Sequence, residues 1–233
     1  MRGRVKWSAQ LFVVLLCALG LKYHYSVATP DQLRWILAPT TWLVETFSGR
    51  SFAFESYTGY MSSDHRFVIA APCAGVNFLI TAFLMLSLKR LWQERFQGAS
   101  WRFIPLLAAG AFVATLIANT VRIGVALEMQ GMDSSWLTAN QLHRVEGIVV
   151  YFGFLLLLFV ISERLEAGKS SRWLMVMPLI VYYAVTLGVP LMNGSHRQGF
   201  TFLEHSFFVI VLPVLVLLPV VVWKTIAQRR EVI

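Results

Sequence analysis

The sequence predicts an all-α, polytopic membrane bundle of about six transmembrane helices, with a small outward-facing interfacial helix and a β-hairpin. Three observations lead there. Of the 233 residues, 57% are hydrophobic and only 14% are charged. A soluble domain carries roughly 45–50% apolar and ~25% charged residues. The mean hydropathy is +0.64, so the chain lacks the polar residues needed to cover soluble domains of this length. The apolar residues also gather in runs of about 20, the length that crosses a bilayer as a helix. Disorder, coiled coil, collagen and a disulfide-stapled secreted scaffold are excluded by the same figures. Cys17 and Cys73, the two cysteines, are too few for a disulfide framework or a four-cysteine zinc site.

The runs lie at roughly 5–23, 67–88, 103–127, 145–161, 173–191 and 205–223, and the fourth is short for a span. The fifth and sixth contain Pro178, Pro190, Pro213 and Pro219, which a membrane bundle tolerates better than a soluble helix does. We read residues 1–233 as a single membrane domain.

The connections set the orientation. One set of sides holds Arg2, Arg4 and Lys6; Lys89, Arg90, Arg95 and Arg102; Arg164, Lys169 and Arg172; and Lys224, Arg229 and Arg230, 13 of the 20 basic residues. The opposite set holds 6, namely Lys22, Arg34, Arg50, Arg66, Arg144 and Arg197, and Arg122 lies inside a span. Basic residues accumulate on the cytoplasmic side. Both termini are therefore expected in the cytoplasm, with segments 24–66, 128–144 and 192–204 facing outward. The formal charge of +8 reads as topology and not as a nucleic-acid surface, because it forms no continuous basic stripe.

Ser26-Val27-Ala28 would pass as a signal cleavage site, but Lys22 and His24 interrupt the approach to it. An uncleaved first helix is the expectation. In the outward segment 24–66, residues 33–47 ("LRWILAPTTWLVETF") have the spacing of a helix lying in the interface, with a break at Pro39. "RSFAFES" (50–56) alternates and "YTGY" (57–60) supplies a turn, giving a small hairpin before the second span. No internal repeat or low-complexity tract is present.

An ionisable residue inside a span is costly and faces the bundle interior, so it marks function. Arg122 is the first such residue. It continues a ladder of Gly110, Ala114, Ala118 and Ala126 on one helix face, small residues that admit a neighbouring helix. Counting from Phe103, it stands about 28 Å along the span, near the outer surface. An arginine there that only snorkels to headgroups is the alternative.

Cys73, in "APCAGVNF" (71–78), is expected ~9 Å below the same surface. Asn77 and Thr81 would follow it on one polar helix face, while Gly75 leaves the backbone open beside the thiol. The alternative is a cysteine acting as a small hydrophobe. His143 opens the fourth span in "LHRVEGIVVYF" (142–152), with Gly147 and Tyr151 on its face. Three residues from three spans at one depth point to a shared site. A thiolate is the reactive form of cysteine, and nearby cations favour it. A histidine can take the thiol proton and return it to a leaving amine, and an arginine can hold an oxyanion. The set suits acyl transfer or peptide cleavage.

Other signals are weaker. "GKSS" (168–171) has Glu163 where a phosphate loop needs glycine. Glu204, His205 and His196 could join His143 around a metal, but no His-Glu-x-x-His pair exists. Asn193-Gly194-Ser195 is a formal glycosylation sequon, and Cys17 reads as packing.

"PCAG" (72–75), "NTVR" (119–122) and "HRVEG" (143–147), in this order and membrane placement, resemble the exosortases and archaeosortases. The resemblance covers about 65–161 and maps the family's catalytic Cys, Arg and His onto Cys73, Arg122 and His143. Asn119 falls on the polar position before the arginine, and Asn77 and Gly75 support the thiol. The resemblance implies a cysteine transpeptidase of the bacterial inner membrane. Its expected substrates are exported proteins ending in a short motif, a transmembrane helix and a basic tail. No metal or organic cofactor is implied. Two other readings stay open: a transporter using Arg122 to bind an anion, and a thiol redox protein using Cys17 and Cys73.

Overall fold

Long apolar runs bounded by basic residues become helices, because a backbone in hydrocarbon must satisfy its own hydrogen bonds. A computed structural model describes residues 2–94, 100–129, 138–165, 172–192 and 199–230. Among these, six helical segments are long and apolar enough to cross a membrane: Gly3–Val27, Ala71–Gln93, Phe103–Glu128, Gln141–Leu165, Leu174–Met192 and Phe202–Pro219. Each overlaps one expected run. The protein is a multi-pass helical membrane protein with one small sheet. Its chain divides into two units, Met1–Ala139 and Asn140–Ile233.

The first unit contains α1 (Arg2–Val27), α2 (Arg34–Ser48), the sheet, a 3-10 turn (Ala71–Ala74), α3 (Val76–Gln93) and α4 (Phe103–Glu128). α3 is the central helix, with most of its residues buried. It packs against α1 on one side and α4 on the other. At the other end of α3 from its start, the Trp7 indole donates to the Leu91 carbonyl at 2.9 Å. Lys89, counted from sequence among the connecting residues, is instead fully buried there, as are Ser87 and Gln10.

α2 packs against α4, and Trp35 stacks on Phe112 with ring centroids 5.9 Å apart. The expected break at Pro39 does not occur. Proline removes one backbone donor but its φ suits a helix, and the buried residues Ile36, Leu37, Thr40, Thr41 and Val44 hold both halves to one face. Gly49, at φ +68, ends the helix by donating to the Glu45 carbonyl. The Glu45 carboxylate then accepts from the Phe52 amide at 2.7 Å, joining helix to sheet.

The expected hairpin is present as β1 (Phe52–Glu55) and β2 (Gly59–Ser62). A third antiparallel strand, β3 (Val68–Ile69), adds to β2 in the order β1-β2-β3. Its two residues are too short to show a period in sequence. Gly59 has φ +117, and a Cβ there would fall 2.5 Å from the Ile69 carbonyl oxygen. Between β2 and β3, Asp64 accepts from the Ser62 hydroxyl at 2.6 Å and the Arg66 amide at 3.2 Å. These bonds, with the charges of Arg50 and Arg66, hold its carboxyl below the ordinary carboxylate range. Asp31 ties the hairpin turn to the α1–α2 connection through the Ser56 hydroxyl and Tyr57 amide.

The second unit contains α5 (Ala139–Leu165), a 3-10 turn (Arg172–Val176), α6 (Met177–Tyr183), a π turn (Ala184–Gly188), α7 (Val189–Met192) and α8 (Phe200–Arg230). α5 extends past both ends of the short run read from sequence. The fifth span is interrupted near its prolines: Pro178 opens α6, and the π turn precedes Pro190. A widened turn makes room for the Pro190 ring, which would clash with the preceding turn and cannot donate a backbone hydrogen bond. Tyr182 packs edge-on against Phe152 at 5.3 Å, and the Tyr183 hydroxyl donates to the Ile210 carbonyl at 2.7 Å.

Candidate active site

The backbone makes a sharp change of direction at Cys73. β3 leads into the 3-10 turn Ala71–Ala74, where the Cys73 amide donates to the Ala70 carbonyl at 2.8 Å. Gly75 then adopts φ +69 and separates the turn from α3, which starts at Val76. Cys73 therefore does not share an α-helical face with Asn77 and Thr81, as the spacing alone suggested. The reason is local: Pro72 lies in the first positions of the turn, and the glycine ends it in the left-handed region. The thiol is free and half-buried. Asn77, on the first turn of α3, accepts from the Lys22 ammonium of α1 at 2.8 Å. Buried Thr81 donates to the Asn77 carbonyl.

α4 holds this turn from one side. The Asn119 side chain is fully buried, and its amide donates to the Cys73 carbonyl at 2.5 Å. A Cβ on Gly75 would meet Asn119 Cγ at 3.1 Å and Thr115 Cγ2 at 3.2 Å. Glycine is thus required twice, for the backbone angle and for the approach of α4. Arg122 is half-buried one turn beyond Asn119. The small-residue ladder needs a correction. Gly110 is exposed, and the buried stripe of α4 runs through Ala111, Thr115, Ala118, Asn119, Ile123 and Leu127. The seam includes polar side chains that turn inward because they have partners: Thr115 donates to the Ala111 carbonyl and Asn119 to Cys73.

α1 approaches from the other side. The Tyr25 hydroxyl donates to the Ala71 carbonyl at 3.5 Å. The same phenol lies within electrostatic range of both the Cys73 thiol and the Arg122 guanidinium. The C-terminal parts of α1 and α4 thus both bond the turn that opens α3, and Arg122 lies one helical turn beyond the bonded Asn119. Tyr25 was not among the residues singled out from sequence. The only signal was the polar run "KYHY" (22–25) closing an apolar helix.

His143 belongs to the second unit, near the start of α5. Its side chain is 53% exposed, and Nδ1 is 3.3 Å from an Oε atom of Glu146, whose side chain is only 5% exposed. Glu146 also escaped the sequence reading, although an acid three residues on from a histidine lies on the same helix face. Glu204 accepts from the Gln141 side chain at 2.7 Å and sits 3.9 Å from Arg144. Among the described residues, no three His, Cys, Asp or Glu side chains converge as a metal site would require. His196, the sequon 193–195 and "GKSS" 168–171 lie outside the described residues.

Fold and geometry together define a polytopic membrane protein with a half-buried thiol on a tight turn that α1 and α4 both bond. The family profile described as Transmembrane exosortase (Exosortase_EpsH) matches residues 2–160, and the chain belongs to the transmembrane exosortase family. Membership carries a membrane transpeptidase-type role, in a family whose members are generally cysteine transpeptidases. No curated protein and no solved structure matches the chain.

Proposed function

We propose that this protein is a cysteine transpeptidase that cleaves the C-terminal sorting signal of exported proteins at the outer face of the bacterial inner membrane. The observation that carries the reading is the bond from Asn119 to the Cys73 carbonyl, which ties the thiol's turn to α4 one turn before Arg122, within the part of the chain that the family profile covers. In this reading both termini are cytoplasmic, which the distribution of basic residues supports.

The reaction divides into two acyl transfers. Cys73 Sγ attacks the scissile carbonyl carbon, and the thiol proton passes to the imidazole of His143. The tetrahedral oxyanion is held by the Arg122 guanidinium, whose planar fork can give two hydrogen bonds. The C–N bond breaks, His143 returns the proton to the leaving amine, and a thioester remains on Cys73. An acceptor nucleophile, or water, then takes the acyl group and restores the thiol. Buried Glu146 orients the imidazole through Nδ1, leaving Nε2 for the proton transfers. Asn119 and Gly75 fix the Cys73 backbone, and Asn77 secures the first turn of α3 to α1.

The substrate class is a protein tail with a short motif, an apolar helix and terminal basic residues. The apolar helix would pack against the spans, with lipid as the surrounding solvent. The test is co-expression with a reporter bearing such a tail, drawn from the host proteome by its shared motif. Cys73→Ala is expected to accumulate full-length reporter while the enzyme remains at its normal membrane level. Cys17→Ala is expected to process normally, because Cys17 is exposed and far along α1 from Tyr25. Equal loss in both variants would favour a paired-thiol redox role instead.

A further inference from the structure

The first helix does more than anchor the chain. α1 touches the start of the second span at two points one turn apart: Lys22 bonds Asn77 at 2.8 Å, and Tyr25 bonds the Ala71 carbonyl at 3.5 Å. The Lys22 ammonium also stands 5.7 Å from the centre of the Tyr25 ring. The Cys73 turn is therefore gripped at both ends, by Tyr25 on Ala71 from α1 and by Asn119 on Cys73 from α4. Arg34 and Glu45, the charged residues of the neighbouring α2, are engaged at the sheet, with the Phe54 ring and the Phe52 amide. Lys22 and Tyr25 of α1 and Asn119 of α4 are the side chains whose bonds fix the turn and the first turn of α3.

We propose that α1 is a permanent wall of the active centre and that Tyr25 is a positioning residue, setting the Cys73 turn through the Ala71 carbonyl. The proposal rests on Cys73 being the nucleophile. It requires that the chain not be cut at Ser26-Val27-Ala28, since that cut would release both Lys22 and Tyr25. It assigns the hydroxyl, and not the ring, the decisive part. Without it the turn loses one of its two grips, and the thiol loses its fixed direction of attack. A small misplacement of a reacting atom costs as much as ~10²-fold in rate.

The experiment uses full-length protein in detergent, in a Cys17→Ala background, with p-nitrophenyl acetate as the probe. Cys73 attacks the ester carbonyl, p-nitrophenolate leaves, and an acetyl thioester forms on sulfur. The burst amplitude counts competent thiols, and the burst rate reads their placement. Tyr25→Phe keeps the ring and its packing. It is expected to retain the burst amplitude and to lower the limiting burst rate about 10-fold or more, with the half-saturating ester concentration unchanged. Tyr23→Phe, on an exposed side chain of the same helix, is expected to behave as wild type. N-terminal sequencing of the membrane-extracted protein is expected to find α1 attached.

A wild-type burst rate in Tyr25→Phe would overturn the proposal, as would a change confined to the half-saturating concentration or a chain beginning after Ala28. Those results leave the nucleophile assignment standing. An undiminished burst in Cys73→Ala would instead remove the nucleophile itself.

Discussion

The side-chain amide of Asn119, fully buried on α4, donates to the backbone carbonyl of Cys73 at 2.5 Å. This bond connects the "NTVR" and "PCAG" motifs directly and explains why an amide stands one turn before Arg122. A carbonyl at the end of a 3-10 turn lacks a regular helical partner, and here a side chain supplies one. Asn119→Ala removes the donor and leaves a cavity. The expected cost is about 1–3 kcal/mol of stability, read as a lowered Tm in detergent, together with slower processing per folded molecule. Asn119→Asp is expected to be worse, because a carboxylate would place acceptor against acceptor.

Gly75 gives a second prediction at the same junction. Gly75→Ala meets both a positive φ and the Asn119 and Thr115 side chains. The backbone penalty alone is roughly 1–2 kcal/mol, and displacement of α4 adds to it. Chemical denaturation of the purified variant is expected to show the loss. The same substitution at Gly110, which has open space around its Cβ position, is expected to be neutral or slightly stabilising in the helix.

Much of this fold was legible in the sequence because each span is long and uniformly apolar, as the bilayer demands. The interfacial helix and first hairpin were legible for the same kind of reason, a clear period over enough residues. β3 was not, since Val68 and Ile69 are a strand only through their pairing with β2. The site divides similarly. Residue type singles out Cys73, Arg122 and His143 only as candidates, and the 3-10 turn at Cys73 depends on Gly75 meeting α4, a tertiary contact. Tyr25 and Glu146 carry no such mark by residue type. Burial and neighbours distinguish them, and neither is written in a single sequence.

Topology supplies a third prediction. From the Lys/Arg distribution of 13 against 6, segment 128–144 is expected outside and segment 89–102 in the cytoplasm. Single cysteines introduced in 128–144 are expected to react with an impermeant maleimide on intact cells. Those in 89–102 are expected to react only after permeabilisation. The reverse pattern would move the proposed site to the cytoplasm.

Asp64 predicts a local pH dependence. Its carboxyl titrates below the ordinary range in the folded sheet, chiefly through the Ser62 hydroxyl. The charged form is therefore favoured by folding. Its contribution is present above the unfolded carboxylate range and is lost as pH falls through the depressed folded value. The protection factors of the β2 and β3 amides, taken relative to the intrinsic exchange rate at each pH, are expected to fall on acidification, and Asp64→Asn is expected to flatten that response.

Arg122 separates charge from geometry. Lysine keeps the positive charge and can reach the headgroups, but it lacks the planar fork. If Arg122 holds the oxyanion, Arg122→Lys is expected to process the reporter at least ~10²-fold more slowly at matched membrane levels. Full activity in the lysine variant would make the residue an anchor only.

In the proposed reaction Cys73 carries the substrate's acyl group. Intact-mass analysis of enzyme quenched in acid during reporter turnover tests it most directly. The expected result is a covalent adduct equal in mass to the reporter without its tail, mapped to Cys73, released by hydroxylamine and absent from Cys73→Ala. Continued reporter cleavage by Cys73→Ala, or an adduct mapped to another residue, would contradict it.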